Sequence, residues 1–139
     1  MLEFNFKNKT KKHIIERKIR LIAKKFYKIF FAKENIQIST SVVNLVEIIR
    51  LNQKLFGKHE PTDIISIESK LKITPISLGE IIICADIAEK QGKEIGHSFQ
   101  KEIEILFVHG LIHLLGYEHE SKNQKKVWQK LINKINEAK

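Results

Sequence analysis

Apolar residues recur along this chain with two periods, and the switches between them divide it into elements. Leu2, Phe4 and Phe6 alternate with polar residues, which predicts a half-buried strand. From Lys12 to Phe31 the apolar groups Ile15, Ile19, Ile22, Phe26, Ile29 and Phe30 fall at helical spacing. Ile36, Ile38 and Val42 predict a second strand. Asn44 followed by Glu47 resembles a capping box ahead of a helix over Leu45 to Phe56, and Gly57 is placed to end it. Pro61-Thr62-Asp63 leads into a third strand, Ile64 to Ile67, and Gly79 precedes a fourth, Ile81 to Ile83. A short helix follows from Ala85 to Lys90. Gly96 and Ser98 introduce a strongly apolar helix over Phe99 to Leu115, and an amphipathic helix runs from Ser121 to Ala138. The expected fold is α+β, a small mixed four-stranded sheet packed with about five helices, in one domain over residues 1–139.

Composition narrows the setting. With 42% hydrophobic residues spread along the whole chain, a normal core is available and disorder is not expected. No apolar stretch is long enough to span a bilayer, so no membrane partner is expected. The N-terminal residues lack the basic-then-apolar order of a signal peptide, and Cys84 is the only cysteine, so the expected compartment is the cytoplasm. Lys and Arg outnumber Asp and Glu by 25 to 16, a net charge of +9, which favours polyanionic partners such as RNA. Only Arg17, Arg20 and Arg50 are arginines, so lysine contacts to phosphates are expected to dominate over base readout.

The chemistry is concentrated between residues 109 and 119. His109 and His113 are four apart on the apolar helix, so they share a face with Cβ atoms about 5–6 Å apart. That separation lets two imidazoles reach one metal ion. Gly116, three residues on, can adopt positive φ and turn the chain so that His119 returns as a third ligand. Three neutral imidazoles leave one coordination position open, as in catalytic zinc sites. Zn2+ fits best, one per chain, although nickel or copper suits the same donors. The spacing H-x-x-x-H-x-x-G-x-x-H also matches the metzincin zinc proteases, which makes the helix zincin-like. Those enzymes carry a Glu general base directly after the first histidine, where this chain has Gly110, and that argues against a metallopeptidase.

At these residues the chain resembles the YbeY family of metal-dependent, rRNA-maturing endoribonucleases. The resemblance runs from about Ile36 to His119. It rests on Leu51-Asn52, on Pro61-Thr62-Asp63-Ile64-Ile65-Ser66, on Leu78-Gly79-Glu80-Ile81 and above all on the histidine segment. It implies three histidines on one metal and cleavage of single-stranded RNA. It further implies roles in maturing the small-subunit rRNA 3′ end and in ribosome quality control. Several positions depart from the family pattern. Glu118 stands where Asp is usual, Ile67-Glu68 stands for Phe-Pro, and Phe56 occupies the place of an arginine tied to catalysis or RNA binding.

The expected function is therefore a zinc-dependent hydrolase acting on single-stranded RNA and rRNA at the ribosome, with His109, His113 and His119 as metal ligands. Asp63 or Glu118 is expected to orient a ligand histidine or to handle protons. Lys58, Lys54 and Arg50 are the cations nearest in sequence to replace the arginine missing at Phe56. Phe56 itself either packs beneath the following turn or stacks on an unpaired base. A metal-stabilised ribosome-binding factor without catalytic activity is the alternative, with a metallopeptidase behind it.

Overall fold

The computed structural model describes residues 1–69 and 76–138. Four strands, β1 (Leu2–Asn8), β2 (Ile36–Val43), β3 (Ile64–Glu68) and β4 (Ile76–Cys84), form one sheet in the order β1-β2-β4-β3. β1, β2 and β4 run parallel, and β3 closes the edge antiparallel to β4. Five helices accompany it: α1 (Glu16–Phe30), α2 (Leu45–Phe56), α3 (Ala85–Ile95), α4 (Phe99–Leu114) and α5 (Lys122–Glu137). The mixed sheet with five helices agrees with the α+β expectation. No helix among the described residues is long and apolar enough to cross a membrane.

The strands β2 and β4 are apolar at consecutive positions because both of their faces are covered. Ile36, Ile38, Val42, Ile81 and Ile83 point into the larger core, which α1, α4 and α5 close with Ile19, Phe26, Phe107, Leu111 and Ile135. Ile82, Cys84, Val43 and Ile65 point the other way and pack against Ile48 of α2. Helix α4 is the hub: it is buried on several sides and lies against α1, α3, α5, β3 and β4. The sheet therefore separates α2 from the helix that carries His109 and His113.

Three predicted boundaries differ in the structure. Helix α1 starts at Glu16 rather than Lys12. Asn8 Oδ1 accepts from the Thr10 N–H (3.0 Å) while its Nδ2 donates to the Lys12 carbonyl (2.8 Å), so local side-chain bonds hold this segment as a turn. Helix α3 continues past Lys90 to Ile95 because Gly92 is buried where the chain turns back, and a Cβ there would stand 3.0 Å from the His97 carbonyl oxygen. Gly79 lies inside β4 instead of before it. Its φ of +143° accompanies a register irregularity against β2, and a Cβ would meet the Ile67 carbonyl oxygen at 2.0 Å.

Gly110 sets the distance between α4 and the sheet. A Cβ there would stand 2.8 Å from Ile81 Cγ2 and 3.1 Å from Ile64 Cδ1, so the helix rests on β3 and β4 with no room for a side chain. Alanine would gain about 1 kcal/mol in helix propensity but lose about 1–3 kcal/mol to overpacking against a fully buried isoleucine. Gly110→Ala is accordingly expected to lower the melting temperature by roughly 5 °C. A Gly110→Ala protein that melts at or above the parent temperature contradicts this packing.

Candidate metal centre

The last turns of α4 place His109 and His113 on one side of the helix. After Leu115 the helix stops at Gly116, whose φ of +91° is the left-handed turn its sequence position predicts, and the Gly116 N–H bonds to the His113 carbonyl (2.9 Å). Ser121 then starts α5 with a reciprocal cap. Its Oγ accepts from the Gln124 N–H (3.1 Å), and Gln124 Oε1 accepts from the Ser121 N–H (2.9 Å). A stop and a start so close together force the chain back on itself, with His119 on the connecting turn. His109, His113 and His119 line one pocket of about 620 Å³ together with Asp63, Ile64, Lys125, Trp128 and Gln129.

Trp128 is the hub of this pocket. Its indole lies edge-on to His113 and His119, with ring centroids at 4.7 and 4.6 Å, and 5.6 Å from His109. The His113 and His119 rings are 5.6 Å apart. Burial holds the His109 imidazole below its ordinary pKa; His119 and His113 add to this and Asp63 opposes it. The ring is thus neutral at pH 7, the form that ligates metals. In the conformation described, no three His, Cys, Asp or Glu donors among the described residues already stand in ion-binding geometry. The donor set nevertheless fits zinc: three imidazoles share one pocket, and adjustment of their side-chain torsions around Trp128 is what binding would require.

The carboxylates occupy different places. Asp63 lines the pocket; its carbonyl is pinned by the Cys84 N–H (2.9 Å), and its Oδ2 accepts a long bond from Gln91 Nε2 (3.4 Å). Glu118 lies outside the pocket and exposed, with Oε2 3.8 Å from His113 Nδ1, an ion-pair distance rather than a hydrogen bond.

The cations chosen for their nearness in sequence are not the ones beside the histidines. Arg50 is forked on Glu47, at 2.7 and 2.9 Å, which raises the Arg50 pKa and lowers that of Glu47. Arg50 and Lys54 line a groove with Glu47, Glu80 and Ile82, on the α2 side of the sheet. Lys58 is exposed beyond Gly57 and does not line the histidine pocket. Phe56 is 53% exposed and so is not packed beneath the turn.

The cation that does line the pocket is Lys125, which sequence reasoning passed over along with Trp128 and Gln129. Their signal was the i, i+3, i+4 spacing on α5, which acquires meaning only once α5 folds back over α4.

A family model described as endoribonuclease YbeY matches residues 3–138. An endoribonuclease YbeY of Staphylococcus carnosus is 41% identical over 110 residues, 72% of each chain. That of Buchnera aphidicola is 33% identical over 134 residues, 94% of this chain and 80% of its own. Among solved structures, a solution structure of a Thermotoga maritima protein superposes with a TM-score of 0.62 at 25% identity, covering 95% of this chain and 88% of that one. With its histidine turn and its mixed sheet alike, the chain belongs to the endoribonuclease YbeY family.

Proposed function

We propose that this chain is a single-domain, zinc-dependent endoribonuclease that cuts single-stranded RNA and acts in the cytoplasm on ribosomal RNA. Its roles would be maturation of the small-subunit rRNA 3′ end and ribosome quality control. The observation that carries the reading is one pocket lined by three histidines, one carboxylate and one cation. Family membership supports the activity, and the net charge of +9 supports the polyanionic substrate. A peptidase is disfavoured because the position of its usual base, Gly110, has no room for a side chain.

His109, His113 and His119 would hold the ion. When bound there, zinc supplies Lewis acidity toward a phosphoryl oxygen and toward water. Asp63, which lines the pocket and accepts a long bond from Gln91, would take up the proton of the attacking water. Lys125 presents an ammonium to a non-bridging phosphate oxygen, a point charge rather than an arginine fork. Trp128 packs edge-on against His113 on the inner side of the imidazoles, and Glu118, exposed and 3.8 Å from His113 Nδ1, makes no hydrogen bond to it. The second reading, a ribosome-binding factor without catalysis, draws on the phenylalanine at position 56. Incubation with single-stranded RNA and with casein, with and without chelator, separates the nuclease, the binding factor and the peptidase.

The protein is expected to carry about one zinc ion, and His113→Ala to lose it, as read by elemental analysis. Because the ion binds only the folded state, a concentration a hundred times its dissociation constant adds about 2.7 kcal/mol. Chelation should then lower the melting temperature by on the order of 10 °C. Confirmed metal loss without a change in the melt contradicts this.

Cleavage should be slow, since Phe56 stands where the family has an arginine and Lys125 offers the histidine pocket only a point charge. Lys125→Ala is expected to reduce kcat by at least about tenfold with zinc content retained, as loss of one charge-assisted bond of about 1.5–3 kcal/mol implies. Phe56→Arg should raise kcat. If Lys125→Ala cleaves at the parent rate while Lys58→Ala is impaired, the phosphate-binding charge lies at residue 58 instead.

A further inference from the structure

Beside the histidine pocket lies a second concavity, about 310 Å³, between α1, α4 and α5. The two share His109 among their lining residues. Helical spacing builds the groove: Lys18, Leu21, Ile22 and Lys25 on α1 face Lys101, Ile105 and His109 on α4, while α5 closes it with Ile132. Its floor is aliphatic and its rim is basic. We propose that this groove binds the single-stranded RNA that flanks the bond to be cut, taking phosphates on Lys18, Lys25 and Lys101 and unpaired bases on the aliphatic floor. The inference rests on the nuclease reading above and extends it to a substrate track.

Several features favour this occupant. None of the three lysines has an ion-pair partner among the described residues, whereas Lys12, Lys93, Arg20 and Arg50 all have one. They are therefore free to exchange counterions for phosphates. The carboxylate on the groove wall, Glu104, is engaged by the Gln100 amide at 3.1 Å. Leu21 is 52% exposed in the midst of these cations. An apolar floor under a basic rim suits a strand whose bases are splayed out; a duplex keeps its bases stacked and offers only its phosphates. Seven residues of helix place Lys18 and Lys25 about 10 Å apart, so a strand of a few nucleotides reaches both. Continuity through His109 then sets the track's register, since RNA lying in the groove reaches the histidine pocket directly.

The test uses the zinc-loaded protein and fluorescein-labelled single-stranded RNA of twelve and of four nucleotides. Anisotropy is read immediately on mixing, at several salt concentrations. The Lys18→Ala/Lys25→Ala/Lys101→Ala protein is expected to bind the 12-mer at least about tenfold more weakly. Its salt slope should fall by about two, at about 0.7 for each phosphate no longer neutralised by a lysine. The advantage of the 12-mer over the tetramer should shrink correspondingly. Leu21→Ser, a surface change, should weaken the 12-mer about threefold without altering the slope.

Equal 12-mer affinity and slope in the parent and triple variant would overturn the groove, and if the parent still cleaves RNA, the nuclease reading survives that failure. Lysine-dependent binding without any cleavage would leave the groove standing and sink the nuclease. A duplex bound as tightly as the single strand, or displacement of the RNA by a polyglutamate peptide of equal length, would also overturn it.

Discussion

The closeness of α4 to the sheet at Gly110 is the contact on which the rest depends. Because a Cβ there would strike Ile81 and Ile64, the helix settles onto the β3–β4 edge. That places His109 and His113 near the start of β3, where Asp63 stands at the pocket wall. The same glycine removes the position from which a metzincin base would act. One missing side chain thus fixes the helix–sheet distance and leaves the polar work to groups on other elements.

What those groups share is a wall of Trp128. An indole edge lies against two imidazoles and near the third, and burial of the His109 ring lowers its pKa. The open side carries Asp63 and Lys125, opposite charges facing a common space. On the proposed reading Lys125 keeps a positive charge by the pocket, without the bidentate geometry of a guanidinium.

Much of this was legible in the sequence for a physical reason: it is encoded locally. The i, i+4 histidines, Gly116 at the helix end and the Ser121 cap each act within a few residues, and the structure brings His109, His113 and His119 onto one pocket. Strand alternation and helical periodicity likewise pointed to the mixed sheet and five helices. Apart from the start of α1, which the local Asn8 bonds set, the errors fall where distant segments decide. Gly79 looks like a break before a strand, and the helix from Ala85 looks finished at Lys90, until the neighbouring backbone shows that Gly79 and Gly92 each sit inside an element at a close approach. Arg50 and Lys54 lie near Phe56 in sequence, yet α2 packs on the other face of the sheet. Lys125 is far from Phe56 in sequence and beside the histidines in space. Asp63, named on a family resemblance, does line their pocket; Glu118 touches it only from outside.

The central claim, that His109, His113 and His119 hold one ion, is tested most directly by X-ray absorption at the zinc edge of the zinc-loaded protein. The account predicts a shell of nitrogen and oxygen at about 2.0–2.1 Å, with the outer scattering of three imidazole rings and no sulfur. A sulfur shell near about 2.3 Å, which only Cys84 or Met1 could supply, or scattering from fewer than three rings, would contradict it.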